Sequence, residues 1–293
     1  GADRLGGDIG TTVDDLPDLL YPRLRDSKSV LMRDLPYSFD MLVENFMDPG
    51  HIPFAHHGKQ GVRSDGAPIP MSVVADNDTH IELRFDDVVR GKPRDGIVSF
   101  AKPCHYHFRV RPGNPAAVVN RTESNGVSLS QLANSGSEAG EERQVGLYML
   151  CVPVTHGKSR VMIVSFPPAA KTLPAKIFAG LPLPVIHALG NGFVDTDAWL
   201  HNAERVHGTG TQYVQLTESD NGVIAFRKWW RRNLAGRPVW GTDGELAAKG
   251  TPLKSASEQT DWYKDHVVHC SACQSFLERA RKAELLSPLL ALA

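Results

Sequence analysis

The sequence predicts an α+β domain in which helices pack on one face of an antiparallel sheet, and three observations predict it. Apolar residues at helical spacing occupy 38 to 47. Short alternating runs, broken by Gly, Asn, Asp and Pro turns, fill about 70 to 165, and helical spacing returns from 174 onward. Helix, then strands, then helices is the order of an α+β fold rather than of alternating βαβ units. With 293 residues, 41% of them hydrophobic, the chain can bury a sizeable core.

Residues 1–28, rich in Gly, Asp and Pro, read as a linker or N-terminal arm, 29–241 as the main domain and 242–293 as a C-terminal extension. The first helix, "SFDMLVENFM", begins at Ser38 or Asp40 as cap. Pro49 and Pro53 follow it. A residue before proline is pushed away from the helical region, so Ile52 is expected to be non-helical and the helix to end or kink between Asp48 and His56. Strands are read at "HIELRF", "HYHFRVR", "AAVVNRTE", "VGLYMLCVPV" and "RVMIVSF", at least five in all. Alternation in "PCHYHFRVR" places Tyr106, Phe108 and Val110 on one face and His105, His107, Arg109 and Arg111 on the other. Helices are expected within 174–207 and over "VIAFRKWWRRNL" (223–234).

Lys plus Arg number 32 against 33 Asp plus Glu, so no global field attracts nucleic acid or an anionic membrane. Four cysteines are too few for a disulfide-built secreted scaffold; a reducing or plastid-like compartment fits better. No run of about 18 apolar residues spans a membrane. "GADRLGGDIGTTVDDLPDLL" lacks both a signal core and the basic character of a transit peptide. The first residue is not Met and the last ten, "ELLSPLLALA", turn apolar, so the chain is expected to be part of something longer.

Chemistry concentrates in "ENFMDPGHIPFAHHG" (44–58), with two carboxylates and three histidines. Glu44, Asp48 and His51 are spaced i, i+4, i+7 and would share a face of a continuous helix. A kink at Pro53 would return His56 toward His51. Two imidazoles and one carboxylate make the facial triad of a mononuclear non-haem Fe(II) centre with open positions. A structural zinc site, or a helix end with surface histidines, remains open on spacing alone.

The stretch resembles the Asp/Glu-x3-Asp-x2-His-x4-His motif of Rieske-type non-haem iron oxygenases, and "LPYSFDMLVENFMDPGHIPFAHHG" is similar to the pheophorbide a oxygenase and chlorophyllide a oxygenase branch. "RSDGAPIPM", "VPVTHGKSRVMIVSFP", "FVDTDAWLHNAERV", "VIAFRKWWRRN" and "HVVHCSACQSF" agree in order, so the resemblance covers roughly 20–280. It implies a helix-grip-like (START/Bet v 1-like) catalytic domain with a curved antiparallel sheet. It implies Fe(II) held by His51, His56 and Asp197, with Asp195 as close competitor for the third position. Asp48 matches the carboxylate that bridges to the Rieske cluster of a neighbouring subunit in a trimer, and Glu44 and Asn45 are expected supports. The implied partners are a chlorophyll-derived tetrapyrrole, O2 and ferredoxin, and the implied location is a chloroplast, in association with the inner envelope or the thylakoid.

A 2Fe-2S Rieske cluster needs two Cys and two His. The only Cys-x2-His here is Cys104 to His107, with no cysteine before it, so the cluster is expected on another domain or subunit. Cys270 and Cys273 resemble the family's C-terminal Cys-x2-Cys. They read as a redox-sensing pair, as zinc ligands with His266 and His269, or as two reduced thiols on a helix. In the family a membrane anchor follows this motif. "RKWWRR" (227–232) reads either as a dock for acidic ferredoxin or a membrane surface, or as a helix with Trp inward. Two further functional readings are a chlorophyllide a oxygenase-type hydroxylase working with a separate Rieske subunit, and a non-catalytic plastid redox sensor.

Overall fold

The computed structural model describes residues 30–113, 145–155, 157–166, 177, 180–208, 217–234 and 252–290. Its strands are β1 (Val30–Leu35), β2 (Met71–Asp76), β3 (His80–Val89), β4 (Lys92–Ala101), β5 (His105–Pro112), β6 (Val145–Thr155) and β7 (Lys158–Phe166). They form one antiparallel sheet in the order β1-β7-β6-β5-β4-β3-β2. The helices are α1 (Phe39–Phe46), α2 (Ile52–Ala55), α3 (Leu183–Val194), α4 (Leu200–His207), α5 (Asn221–Asn233), α6 (Ala256–Gln259), α7 (Trp262–Asp265) and α8 (Ser271–Leu290). The α+β expectation holds. "AAVVNRTE" and the N-terminal arm lie outside the described residues.

The period-2 pattern decides which sheet face is covered. Ile81, Leu83 and Phe85 of β3, Val98 and Phe100 of β4, and Tyr106, Phe108 and Val110 of β5 are buried together, as the alternation in β5 predicts. The other face of β5 carries His105, His107, Arg109 and Arg111, and there Arg111 of β5 and Arg84 of β3 both pair with Asp95 of β4, while Tyr148 and Val164 form a smaller apolar cluster. α1 lies over β6 and β7 and α5 over β2 and β3. They meet where the Phe39 and Trp230 rings stand 5.5 Å apart. Each fully buried side chain of this size contributes about 1.5–3 kcal/mol of apolar burial.

Ser38 is the N-cap residue of α1 but makes no side-chain cap. Its N–H instead donates to the buried carboxylate of Glu204 in α4, at 3.1 and 3.2 Å, so the orphan donor is satisfied from 166 residues away. Asp40 in the first turn accepts from Arg227 of α5 at 2.7 Å, and Glu44 one turn later pairs with the same guanidinium. In "RKWWRR" Trp229 and Trp230 point inward and Arg227 is buried, while Lys228, Arg231 and Arg232 are exposed. The inward-Trp reading is the one the fold adopts.

α1 stops at Phe46, whose carbonyl accepts from the Tyr106 hydroxyl at 2.6 Å. A 3₁₀ turn (Pro49–His51) and α2 follow. Two local expectations need correction. Asp48 is extended (φ −108°, ψ 91°), so Glu44, Asp48 and His51 do not share one helical face. Ile52 is helical (φ −53°, ψ −51°) despite preceding Pro53. Pro53 sits in the first turn of α2, where a missing N–H costs no hydrogen bond, and the helical region is disfavoured rather than forbidden before proline.

The C-terminal segment packs against β1 and α3. No helix among the described residues is long and apolar enough to cross a membrane.

Gly96 sits opposite Phe85 in the β3–β4 register, and a Cβ there would lie 2.1 Å from the Phe85 ring. Gly96→Ala should therefore cost about 1–3 kcal/mol of stability by overpacking, with partial recovery when Phe85→Leu is added. Urea unfolding midpoints check this; an unshifted midpoint for Gly96→Ala would contradict it.

Candidate metal centre

Three short backbone elements carry the site. His51 ends the 3₁₀ turn after α1, and His56 caps the C-terminal end of α2 (φ −97°, ψ 29°). Asp197 ends a second 3₁₀ turn, Asp195–Asp197, that continues α3. One donor atom from each lies within 4.8 Å of the others. The Nε2 atoms of His51 and His56 are 3.2 Å apart, and His56 Nε2 is 3.6 Å from Asp197 Oδ2.

The tautomers follow from the partners of the opposite ring atoms. His51 Nδ1 faces the main-chain carbonyl of Asp48, which can only accept, so Nδ1 carries the hydrogen. His56 Nδ1 lies 2.6 Å from Thr196 Oγ1, and the Thr196 hydroxyl donates to the Phe193 carbonyl at 2.6 Å. That hydroxyl hydrogen is committed, so Thr196 Oγ1 accepts from His56 Nδ1. The Phe193 ring stacks on His56 at 4.1 Å and fixes its plane. Both Nε2 atoms are therefore bare lone pairs aimed at each other, and His56 Nε2 also faces a carboxylate oxygen. Such an arrangement is repulsive unless a cation lies among the three.

Asp197 Oδ2 accepts from Asn45 Nδ2 at 3.3 Å, while Oδ1 is buried without a hydrogen-bond partner among the described residues. Burial lowers His56 to about 3, assisted by His51 and Lys59, and lowers His51 against the opposing pull of Asp197 and the Asp48 carbonyl. Burial raises Asp197 to about 6, opposed by His51 and the Asn45 bond. Near neutral pH the set is two neutral nitrogens and one hard, anionic oxygen. These residues fit a divalent first-row metal in charge, donor type and unsatisfied lone pairs.

The other predicted residues divide. Asp195 faces away: Arg33 donates to its Oδ1 at 3.0 Å and Trp262 Nε1 to its Oδ2 at 2.6 Å. Asn45 touches Asp197, whereas Glu44 pairs with Arg227 and lines the adjoining cavity. Asp48 reaches His51 through its main-chain carbonyl, and its carboxylate accepts from Gly50 N–H at 2.8 Å. Burial raises that carboxyl to about 6. His57 is exposed and accepts from Arg63 N–H. Cys270 and Cys273 are free thiols beside α3, and burial pushes Cys273 up to about 12. A cavity of about 260 Å³ opens beside His51, with apolar walls from Met41, Trp199, Leu200 and Val223.

Sequence reasoning missed three contributors. Thr196 sets the His56 tautomer, although it lies inside "FVDTDAWLHNAERV". Arg33 is buried in β1 and holds the Asp197-bearing segment through Asn191 at 2.8 Å and Asp195. Glu204 anchors the start of α1. A polar residue between two acids was the available signal for Thr196; the other two act across the fold.

Thr196→Val should weaken divalent-metal binding about 10–100-fold by releasing the His56 tautomer, whereas His57→Ala should leave affinity unchanged. Competition against a chelator measures both; equal affinities for Thr196→Val and native protein would contradict this role.

A model of the family described as vanillate O-demethylase oxygenase C-terminal domain matches residues 37–236, more than half of the chain. Protochlorophyllide-dependent translocon component 52 of Arabidopsis thaliana is 28% identical over 290 residues, taking in 88% of this chain and 49% of that protein. Flavonoid 8-hydroxylase 2 of Ocimum basilicum is 25% identical, with 86% and 46% covered. Pheophorbide a oxygenase of Arabidopsis thaliana is also 25% identical, with 86% and 47% covered. The chain thus spans about half the length of the curated relatives it matches. On the match across 37–236, the chain belongs to the vanillate O-demethylase oxygenase C-terminal domain family, the catalytic-domain family of Rieske-type oxygenases.

Proposed function

We propose that this chain is the mononuclear-iron catalytic part of a Rieske-type oxygenase that oxidises a chlorophyll-derived tetrapyrrole with O2 and electrons from ferredoxin. The observation that carries the reading is the pair of unprotonated Nε2 atoms of His51 and His56, 3.2 Å apart with Asp197 Oδ2 beside them. His51, His56 and Asp197 would hold Fe(II). The bound ion supplies redox chemistry and open coordination positions for oxygen activation. We read the sheet and its covering helices as a helix grip around the site.

The protein's own residues position and insulate the centre. The Asp48 carbonyl and Thr196 hydroxyl hold the two Nδ1 hydrogens, leaving the opposite nitrogens free to ligate. Asn45 orients the Asp197 carboxylate. Met41, Leu200 and Val223 keep water from one side of the cavity, and the half-exposed Trp199 offers an indole face at its rim. That rim suits a flat, conjugated substrate, and relatives named for a pheophorbide, a flavonoid and a protochlorophyllide support that class. Asp48 lines the same cavity and is half-buried, and in this reading its carboxylate would bridge to the Rieske cluster of a neighbouring subunit in a trimer. The 2Fe-2S cluster would be carried by another domain or subunit. A chloroplast location is supported by the relatives' names.

Hydroxylation without ring opening is the second reading. It is favoured by the flavonoid hydroxylase, which is as similar to this chain as pheophorbide a oxygenase is.

Protein purified anaerobically should hold about one iron per chain. His56→Ala and Asp197→Ala should lose it and Asp195→Asn should keep it. Zinc in place of iron, or iron surviving Asp197→Ala, would sink the reading. With pheophorbide a, O2, ferredoxin and reductase, this chain should not turn over repeatedly until a Rieske-bearing partner is added. Product release in multiple turnovers without that partner, followed chromatographically, would contradict the missing-cluster proposal.

A further inference from the structure

A second convergence of ligand atoms lies away from the iron-type centre, where the C-terminal segment meets α3. Cys270 follows a 3₁₀ turn, Val267–His269, and Cys273 is in the first turn of α8. His187 comes from α3, and His266 precedes the 3₁₀ turn. One donor atom of each lies within 4.8 Å of the other three. His187 Nδ1 is 3.4 Å from Cys273 Sγ and 3.5 Å from Cys270 Sγ, and His266 Nε2 is 3.3 Å from Cys273 Sγ. With Zn–S near 2.3 Å and Zn–N near 2.0–2.1 Å, a tetrahedral site has sulfur–nitrogen edges of about 3.5 Å. The observed edges match.

His266 is oriented for this role. Its Nδ1 lies 2.6 Å from the Met32 carbonyl of β1, which can only accept, so Nδ1 carries the hydrogen and Nε2 presents a lone pair to Cys273. A backbone carbonyl behind a ligating imidazole is the usual support of a zinc histidine. The two imidazoles stand nearly perpendicular, 85° apart with centroids at 4.9 Å. His187, His266 and Cys273 are all buried. His269, the nearer histidine in sequence, turns instead to Asp34 (3.6 Å) and Arg160 (3.5 Å).

We propose that Cys270, Cys273, His187 and His266 bind one Zn(II) in a closed, four-coordinate structural site. Zn(II) displaces the two thiol hydrogens, which leave to solvent as protons, and the resulting thiolates and neutral imidazoles fill the coordination shell with no redox change. The ion fastens the C-terminal segment to α3 and, through His266 and Met32, to β1. α3 runs on to Asp195–Asp197, and Trp262 of the same C-terminal segment holds Asp195. The site at His187 and the Trp262–Asp195 bond therefore hold at two points the segment that delivers Asp197.

The test is zinc and iron content per chain for the full protein, purified anaerobically without chelator. Native protein should carry about one zinc in addition to iron. Zinc should fall by at least roughly tenfold in Cys273→Ser and His187→Ala, and persist in His269→Ala and His56→Ala. Should the ligand variants fail to fold, Co(II) exchange into native protein decides: thiolate-to-cobalt charge-transfer bands with tetrahedral d–d bands are expected. Absence of zinc, zinc lost from His56→Ala but kept in Cys273→Ser, a Cys270–Cys273 disulfide in the anaerobic protein, or a cobalt spectrum without thiolate bands would each overturn the site.

Discussion

The buried guanidinium of Arg33 holds together what the rest of the site requires. It projects from β1 and bonds Asn191 of α3 and Asp195 of the following turn, so the segment that carries Thr196 and Asp197 is tied to the sheet as well as to its own neighbours. Pro36 and Ser38, just beyond β1, are joined to His201 and Glu204 of α4 in the same way. Removing one partner of a fully buried charged pair typically costs about 3–5 kcal/mol because the other is left uncompensated, and the cost here is smaller because the Asp195 carboxylate is partly exposed. Two distant stretches of chain are thereby held in fixed register. One ends in His51 and His56, and the other in Asp197.

Within that frame, hydrogen bonds on the far side of each imidazole do the chemical work. The Asp48 carbonyl and Thr196 hydroxyl determine which nitrogens carry hydrogens, and so turn two ordinary histidines into a matched pair of donors. The same logic recurs at the second cluster, where the Met32 carbonyl frees Nε2 of His266. The helix α3 links the two, with His187 inside it and Asp197 just past its end. Loss of order at the C-terminal segment would thus be felt at the carboxylate.

Much of this was legible in the sequence where the signal is local. The span of α1, the two faces of β5 and the inward tryptophans of α5 follow from periodicity. The pairing of His51 with His56 followed from two prolines that prevent a continuous helix. β1 was not legible, because "VLMRDL" buries Arg33 and Asp34 and so breaks the alternation that marks a strand. β4 opens with Lys-Pro-Arg-Asp-Gly, which reads as a turn. Ile52 departs from the expectation because the helical region is only disfavoured before proline, and Pro53 in the first turn of α2 leaves no hydrogen bond unmade. The choice of Asp197 over Asp195 rested on resemblance. Its physical reason, Arg33 and Trp262 claiming Asp195, involves partners 162 and 67 residues away. His187 could not be read as a companion of Cys273, because 86 residues separate them and nothing in "LPVIHALG" marks a ligand.

In the proposed centre, Nε2 of His51, Nε2 of His56 and a carboxylate oxygen of Asp197 converge on one iron. Crystals of the anaerobic protein should be measured on both sides of the iron absorption edge. A single iron anomalous peak bounded by those three atoms is expected. A peak against Asp195 or His57, or none beside His51 and His56, would overturn the assignment.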